Sequence, residues 1–501
     1  MIAPPANPCC AAAHPDPGAW TTFLWLFGGY VVLHFVLRLL FEPVLGTDDV
    51  DQAIYAQTLA WGYELKQPPL YTWLQWGLDQ LIGIGVYSHA LLKYLLLFLT
   101  YLFLYLSGRL VFADRLSPLL AVAGLWLTFP LAVSIHQGVT HSILLSAILA
   151  ATLYAFLRLE RRATPAGYLV LGLLLGLGLI SKFSFAVFAA ALALAALSMP
   201  RYRKVVLNPL TLAGLLVTVL ILLPPGLWIW QRHQEVGHAV AGLGSVSHGI
   251  AARLGGLASA ALQFPAPLWL VLLAVYPRAF GRLAGPRIGD AGILLGRIML
   301  IGLALLALLV VLGQFEVKPR WLHPVLLVFP LYFFTRVAAA YPGQPARRGY
   351  LYSLAVLPVL VIGFWTAQTY LGPGLGKPTR FHVPYDRLAA SLHSAVGNPA
   401  TLVAGDPYLA GNLRLGFTSA RVINADYPIY RPGPRQPGAC LLVWDKAGRA
   451  AGVPDNIAAQ LSGDWNRRGR PAPATLSVPY PGNAKFSLEV GYALVDGPSC
   501  P

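Results

Sequence analysis

Apolar segments of helical length dominate this chain and limit what it can fold into. The 501 residues are 56% hydrophobic and only 11% charged, whereas soluble domains carry roughly 25% charged residues. About eleven segments approach the ~20 apolar residues that a helix needs to cross the hydrocarbon core of a bilayer. The chain is therefore predicted to be an α-helical polytopic membrane protein. The segments lie near residues 20–40, 90–107, 117–133, 139–157, 166–181, 183–199, 209–230, 257–277, 291–313, 322–339 and 350–371.

The loops between these segments differ in charge, and the difference predicts the topology. Fifteen Lys and Arg residues fall in one alternating set of loops and six in the other. Because cytoplasmic loops are enriched in Lys and Arg, the first set is predicted to be cytoplasmic. The N-terminus is then cytoplasmic, and a large first outer loop (42–89) and everything after residue 371 are extracytoplasmic. The net charge of +16 is thus explained by topology and by contact with anionic lipid headgroups, and not by nucleic-acid binding.

Composition also divides the chain into regions. Residues 1–18 are rich in Pro and Ala and are predicted to be disordered, and residues 19–371 form the predicted membrane domain. The region 372–501 is rich in Gly and Pro with scattered charge. Its stretches 402–417 and 439–446 indicate short strands and helices of a small extracytoplasmic α/β domain. This domain shows no catalytic constellation, and we interpret it as a lid or an acceptor-docking module.

Four cysteines are too few for a disulfide framework. Cys440 and Cys500 both lie in the C-terminal region, and their spacing leaves open whether they pair. The chain has neither a CxxC motif nor a GxGxxG motif that opens a helix after a strand. The sequence therefore predicts no nucleotide cofactor.

An acidic cluster follows the first apolar segment. Asp48, Asp49 and Asp51 lie together at the start of the first outer loop, in a chain with only 20 Asp and Glu residues. The stretch WGYELKQPPLYTWLQW (61–76) then interleaves Trp and Tyr with Leu, which suits a segment lying at the membrane interface. Because carboxylates are costly near a bilayer, such a cluster predicts a functional site.

Sparse cations on the outer side complete the candidate chemistry. Lys182, Lys318 and Arg320 would suit a phosphate if they converged on the acidic cluster. A carboxylate can then act as general base on an acceptor hydroxyl, and the cations can stabilise a departing phosphate. The residues thus predict transfer from a lipid-linked phosphate donor. Three histidines near the outer ends of segments are interpreted as packing residues and not as metal ligands: His136, His141 and His323.

Two other classes of protein remain open at this stage. A secondary transporter or a flippase of a lipid-linked sugar would also have many spans and few charges, but it favours ionisable residues near the span centres and paired broken helices in matching halves. A non-catalytic assembly or sensor subunit would tolerate replacement of the acidic cluster.

Several motifs together resemble the GT-C membrane glycosyltransferases. Within that superfamily the chain is similar to the bacterial branch with the lipid A aminoarabinose transferases, the rhizobial galacturonosyltransferases and relatives of the protein O-mannosyltransferases. The resemblance covers the membrane part from about residue 40 to 340. The matching pieces are DDVDQ (48–52), LAWGYELKQPPLYTWLQ (59–75), THSILLSAILAATLYAFLRL (140–159), LGLGLISKFSFAVF (175–188) and VKPRWLHPVLL (317–327).

The resemblance implies a reaction and a place for it. Such enzymes sit in the bacterial inner membrane, take a sugar from a polyprenyl phosphate at the outer face and invert its anomeric centre. The acceptor is a glycolipid, a saccharide or a protein. Carried over by position, the catalytic acids are Asp48 and Asp49, with Asp48 as the base. The phosphate-contacting cations correspond to Lys182, Lys318 and Arg320. Asp51 is a supporting acid of the substrate site, and Lys66 is a further candidate for a phosphate contact.

One departure from the family pattern concerns a metal. Aminoarabinose transferases often show Glu-Lys before Pro-Pro, where this chain has Lys66 and Gln67, and Glu64 lies two places early. A carboxylate that helps to hold a metal there is therefore missing. A divalent cation stays open as a cofactor, and no metal ligand is assigned.

Overall fold

The computed structural model describes residues 17–235, 249–281, 288–313, 317–427, 429–434, 436–446, 452–461, 473–495 and 501. The predicted disordered tail lies almost wholly outside the described residues. The helices are α1 (Pro17–Phe41), α2 (Thr47–Tyr55), α3 (Leu70–Ile82), α4 (Val86–Val111), α5 (Leu116–Leu127), α6 (His141–Arg161), α7 (Pro165–Leu179), α8 (Phe185–Leu197), α9 (Pro200–Val206), α10 (Leu210–Trp230), α11 (Ile250–Gln263), α12 (Leu268–Val275), α13 (Asp290–Gly313), α14 (Pro319–Leu326), α15 (Phe329–Ala340), α16 (Arg348–Leu371), α17 (Tyr385–Val396) and α18 (Pro407–Gly416). Single helical turns occur at Phe129–Ala132, Ser134–Gln137, Pro277–Phe280, Arg380–His382 and Asp455–Ala458.

Six helices in the described part of the chain are long and apolar enough to cross a membrane: α1, α4, α6, α10, α13 and α16. The consecutive helices α14 and α15 are bent by 52° and make a seventh candidate when counted as one span. Three predicted segments form the shorter apolar helices α5, α7 and α8, and the segment near 257–277 divides into α11 and α12. The helices thus coincide with the predicted segments, while the number of about eleven spans stays a prediction.

Close packing fixes the helix that leads to Lys182. Helices α7 and α10 meet through Gly172 and Gly214, where a Cβ on either residue would run into the backbone of the opposite helix. The hydroxyl of Thr218 donates to the carbonyl of Gly172 at 2.8 Å. Small residues allow helix backbones to approach in this way without a hydrophobic driving force. The end of α7, and with it Lys182, is held in place by this contact.

A five-stranded sheet forms the C-terminal part of the chain. Its strands are β1 (Thr401–Ala404), β2 (Arg421–Asn424), β3 (Cys440–Asp445), β4 (Ala474–Tyr480) and β5 (Asn483–Val495), in the order β2-β1-β3-β5-β4. The first three are parallel, and β5 runs antiparallel to β3 and β4. The three parallel strands are almost fully buried, as expected for parallel strands covered on both faces. The predicted small α/β unit is therefore present.

The cysteine at the start of β3 has a covalent partner. Cys440 is buried and disulfide-bonded. Cys500, the partner considered in the sequence analysis, lies outside the described residues.

The C-terminal unit is fastened by hydrogen bonds to the segment that connects α1 to α3. The side-chain amide of Gln57 donates to the carbonyl of Val422 on β2 and accepts from the amide of the same residue, both at 2.8 Å. The Gln57 side chain thereby pairs with backbone groups of the edge strand β2, which would otherwise have no partner on that side. The amide of Leu45 donates to Asn412 on α18 at 2.8 Å. These contacts place α18 and β2 directly against α2.

We expect Gly411→Ala to weaken this docking. A Cβ on Gly411 of α18 would lie 2.6 Å from the backbone and the Cβ of Val50 on α2, so one of the two helices must shift. Overpacking of this kind costs about 1–3 kcal/mol. Thermal unfolding and limited proteolysis in detergent measure the effect. Gly255→Ala in α11 is the control, because nothing lies within 4 Å of the added atom, and equal behaviour of the two variants would contradict the prediction.

Candidate active site

Helix α2 carries the acidic cluster, and the side chains of the cluster point in different directions. Asp48 and Asp51 are three residues apart and share one face of the helix, whereas Asp49 is rotated by about 100° from Asp48. Asp49 faces the membrane helix α4, and Asp51 faces the C-terminal unit. The helix begins after Gly46, where an added Cβ would lie 2.9 Å from the carbonyl oxygen of Gln137. Its first turn is therefore seated directly on the segment before α6.

Asp48 is held by hydrogen bonds to the segment before α6. Its backbone amide donates to the carbonyl of Gly138 at 3.1 Å, and its carboxylate accepts from the amide of Thr140 at 3.4 Å. Gly138 has a φ of +108°, which an L side chain rarely adopts. Burial raises the pKa of the Asp48 carboxyl, while the positive charges of Arg320 and Lys182 act in the opposite direction. The residue as a whole is half-buried.

Two of the predicted cations act electrostatically on this carboxyl. Lys182 follows the end of α7, and its Nζ donates to the hydroxyl of Ser142 in α6 at 2.7 Å. Burial lowers the pKa of Lys182 to about 8, an effect that the charge of Asp48 opposes and that of Arg320 enhances. Arg320 is exposed in the first turn of α14. Three residues from distant parts of the sequence thus form one site of mixed charge.

Asp49 occupies a different environment from Asp48. Its carboxylate forms an ion pair with Lys93 of α4 at 2.9 Å, and both side chains are at most 2% exposed. Burial alone would raise the pKa of Asp49, but the charges of Lys93, His89 and Arg38 outweigh it, and the pKa is lowered. The pair ties α2 to α4. Lys93 was missed in the sequence analysis, although a charged residue inside an apolar segment is the expected signal.

Asp51 connects the cluster to the C-terminal unit. The hydroxyl of Tyr427 donates to its carboxylate, and the ring of Tyr427 lies 5.1 Å from that of Tyr55 on α2. Burial raises the pKa of Asp51 to about 6, against the effect of the Tyr427 hydrogen bond. The hydroxyl of Tyr430 also donates to the carbonyl of Tyr55 at 2.9 Å. Tyr427 had no sequence signal, because it lies 376 residues from Asp51.

The other two predicted cations have exposed side chains. Lys66 is exposed, and its charge acts on Glu64, whose pKa burial raises to about 7. Lys318 is exposed in the turn that precedes Arg320. Within the described ranges, no hydrogen bond or ion pair joins Lys66 or Lys318 to α2. Their roles stay predictions.

The histidines make packing contacts to neighbouring side chains. His141 lies 3.1 Å from the hydroxyl of Thr140, His323 lies 2.9 Å from that of Ser146, and His136 stacks on His34 at 3.8 Å between ring centroids. No three His, Cys, Asp or Glu residues converge as a metal-binding group in the part of the chain that the structure describes. No metal ligand is assigned, and no step of the mechanism below passes through a metal ion.

Comparison with known proteins identifies the relatives of this chain. The family described as dolichyl-phosphate-mannose-protein mannosyltransferase matches residues 66–229. The lipopolysaccharide core galacturonosyltransferase RgtB of Rhizobium johnstonii is 32% identical over 497 residues, which cover 95% of this chain and 98% of RgtB. The galacturonosyltransferase RgtA of the same organism is 33% identical over 84% of this chain and 85% of RgtA.

Solved structures show the same architecture. The crystal structure of ArnT from Cupriavidus metallidurans bound to undecaprenyl phosphate matches with a TM-score of 0.59 and 14% identity, over 96% of this chain and 99% of ArnT. These matches confirm the predicted GT-C fold of a multi-pass membrane glycosyltransferase. Within that superfamily, the chain belongs to the family of the rhizobial lipopolysaccharide core galacturonosyltransferases. The family is enzymatic, which favours the enzyme over the transporter and sensor alternatives.

Proposed function

We propose that this enzyme transfers a sugar from a polyprenyl-phosphate donor to a saccharide of the bacterial envelope at the extracytoplasmic face of the inner membrane. The observation behind the proposal is the position of Asp48: its half-buried side chain accepts from the amide of Thr140, two residues before Ser142, to which Lys182 donates. The names of the relatives support it, because RgtA and RgtB act on the lipopolysaccharide core and the ArnT structure contains undecaprenyl phosphate. The N-terminus is cytoplasmic and the C-terminal unit extracytoplasmic in this proposal.

The proposed reaction is a single displacement with inversion. Lys182 and Arg320 hold the phosphate of the donor, and Asp48 accepts the proton of an acceptor hydroxyl. The hydroxyl oxygen then forms a bond to the anomeric carbon as the bond from that carbon to the phosphate oxygen breaks. The electron pair of the broken bond goes to the phosphate, where the two cations stabilise the additional negative charge. The products are the glycosylated acceptor and the polyprenyl phosphate.

The neighbouring acids have supporting roles in this mechanism. Asp49 is buried in its pair with Lys93, so we assign it the positioning of α2 rather than contact with substrate. Asp51, with Tyr427 beside it, borders the site on the side of the C-terminal unit, where we place the acceptor saccharide. This assignment develops the earlier interpretation of that unit as an acceptor-docking module.

The test is sugar transfer in proteoliposomes that contain the purified enzyme. The donors are undecaprenyl phosphates that carry galacturonic acid, aminoarabinose or mannose, and the acceptor is lipopolysaccharide core. Both curated relatives are galacturonosyltransferases, so transfer of galacturonic acid is expected. Transfer of that sugar from a nucleotide donor, with none from the polyprenyl donors, would refute the proposal.

The proposed roles predict a bell-shaped pH dependence of kcat/KM. Activity rises with pH as Asp48 loses its proton, at a pH above the usual aspartate value because burial raises the pKa of this carboxyl. Activity falls again above about pH 8, where Lys182 loses its charge in the free enzyme.

Lys182→Arg separates the two limbs of this profile. An arginine stays protonated throughout this range, so the variant is expected to keep the acidic limb and lose the alkaline one. An alkaline limb that stays in place in the variant shows that Lys182 is not the group responsible.

A further inference from the structure

A groove lies at the end of α6 that is farthest from the acidic cluster. Helix α6 begins next to Thr140, which contacts Asp48, and ends 21 residues later at Arg161. At 1.5 Å per residue the helix is about 30 Å long, close to the hydrocarbon thickness of a bilayer. The groove, with a volume of about 430 Å³, lies between α4, α6 and α7 near Arg158. It is therefore at the opposite membrane face from the candidate active site.

One half of the groove is apolar and open to the outside. Phe103 of α4, Ala155 of α6, and Val170 and Leu174 of α7 line it. The small side chain of Ala155 leaves space between the helices, and Val170 is 48% exposed. At this depth the solvent around a spanning helix is hydrocarbon. The open apolar half is thus suited to an alkyl chain lying along α7.

The other half of the groove is cationic. Arg158 and Arg162 line it together with Tyr154, whose hydroxyl accepts from Arg158 at 3.3 Å. Thr164 and Gly167 at the N-terminus of α7 also line the groove. The hydroxyl of Thr164 accepts from the amide of Gly167 at 3.1 Å and caps the helix, and a helix N-terminus carries partial positive charge.

Acids do not compensate these charges within the groove. No carboxylate belongs to its lining, as far as the described residues go. The nearby Glu160 pairs with Arg201 at 2.9 Å. Two guanidinium groups beside an apolar channel therefore face the membrane without an acidic partner in the lining.

We propose that this groove binds an anionic glycerophospholipid. The phosphate contacts Arg158, Arg162 and the first turn of α7, and one acyl chain lies along Val170 and Leu174. Basic pockets between membrane helices on the cytoplasmic side recognise anionic headgroups through the same chemistry. A second copy of the chain fits less well, because two copies inserted in one orientation would bring their basic ends together. The proposal is independent of the sugar-transfer reaction.

Lipid retention by the intact protein tests the proposal. The enzyme is reconstituted into a mixture of phosphatidylglycerol and phosphatidylcholine and then extracted in detergent. Native mass spectrometry identifies the lipid that remains bound. Wild type is expected to retain phosphatidylglycerol, and the double variant Arg158→Gln/Arg162→Gln is expected to retain on the order of ten-fold less. Arg109→Gln/Arg203→Gln is the matched control. It also removes two charges, and Arg109 donates to Tyr105 four residues earlier at 3.2 Å, as Arg158 does to Tyr154.

A second variant tests the apolar half without changing the charge. Ala155→Phe fills the channel and is expected to lower phosphatidylglycerol retention while thermal unfolding shows a folded protein. If the double arginine variant fails to fold, lipid retention by Ala155→Phe tests the proposal on its own. Equal retention in wild type and both test variants, equal retention of phosphatidylcholine by wild type, or a bound polyprenyl phosphate in place of the glycerophospholipid would each overturn the proposal.

Discussion

Asp48→Asn is expected to lower kcat for sugar transfer by about 10²–10⁴-fold, the usual contribution of a general base. Asparagine has nearly the same shape as aspartate and keeps an oxygen that can accept from the amide of Thr140, so the start of α2 is preserved. It cannot accept the proton of the acceptor hydroxyl. The expected loss is therefore in the chemical step and not in the amount of folded enzyme.

Initial rates in proteoliposomes measure this effect, with thermal unfolding of each variant as the check on folding. Asp386→Asn is the control, because Asp386 is an exposed carboxylate in the first turn of α17 and its loss changes the net charge equally. The control is expected to transfer sugar at the wild-type rate. A wild-type rate in Asp48→Asn would show that Asp48 is not the base.

Lys93→Met is expected to produce the largest loss of stability. The variant leaves the carboxylate of Asp49 buried without its partner, and breaking a buried ion pair on one side costs about 3–5 kcal/mol. Asp49→Asn leaves the ammonium of Lys93 in the same position and is expected to be destabilised in a similar way.

The double variant Asp49→Asn/Lys93→Met separates the coupling free energy of the ion pair from the other contributions of the two side chains. With both charges removed, no uncompensated charge remains, and the stability is expected to return close to that of wild type. Denaturation in detergent of the wild type, the two single variants and the double variant gives the coupling free energy. Additive losses in the double variant would mean that Asp49 and Lys93 act independently.

The fold was more accessible from the sequence than the site. Long apolar segments predict helices because a membrane-spanning backbone must satisfy its own hydrogen bonds, and the apolar runs coincide with the helices that the structure shows. The breaks within them were less predictable. The segment near 322–339 contains a 52° bend between α14 and α15, and the segment near 257–277 contains two helices, since proline and tertiary contacts decide where a helix stops.

The site depends on contacts between distant residues. Lys182 and Arg320 act on Asp48 only because the residues after α7 and the first turn of α14 lie near the first turn of α2, which the local sequence does not encode. The pattern favoured Lys318 together with Lys182 and Arg320, and Lys66 was a further candidate. Both Lys318 and Lys66 are exposed, and their roles stay predictions. Tyr427 meets Asp51 only after the C-terminal sheet has formed and docked through Gln57.

In the proposed mechanism, Lys182 and Arg320 hold the phosphate of a polyprenyl donor next to Asp48. Binding of undecaprenyl phosphate and of uncharged undecaprenol to the purified enzyme tests it most directly. Wild type is expected to prefer the phosphate roughly 10-fold or more for each charged contact. Lys182→Met/Arg320→Met is expected to lose this preference, whereas the control Lys377→Met/Arg387→Met, which removes two exposed cations of the C-terminal region, is expected to keep it. Equal binding of the two lipids by wild type, or an unchanged preference in Lys182→Met/Arg320→Met, would contradict the claim.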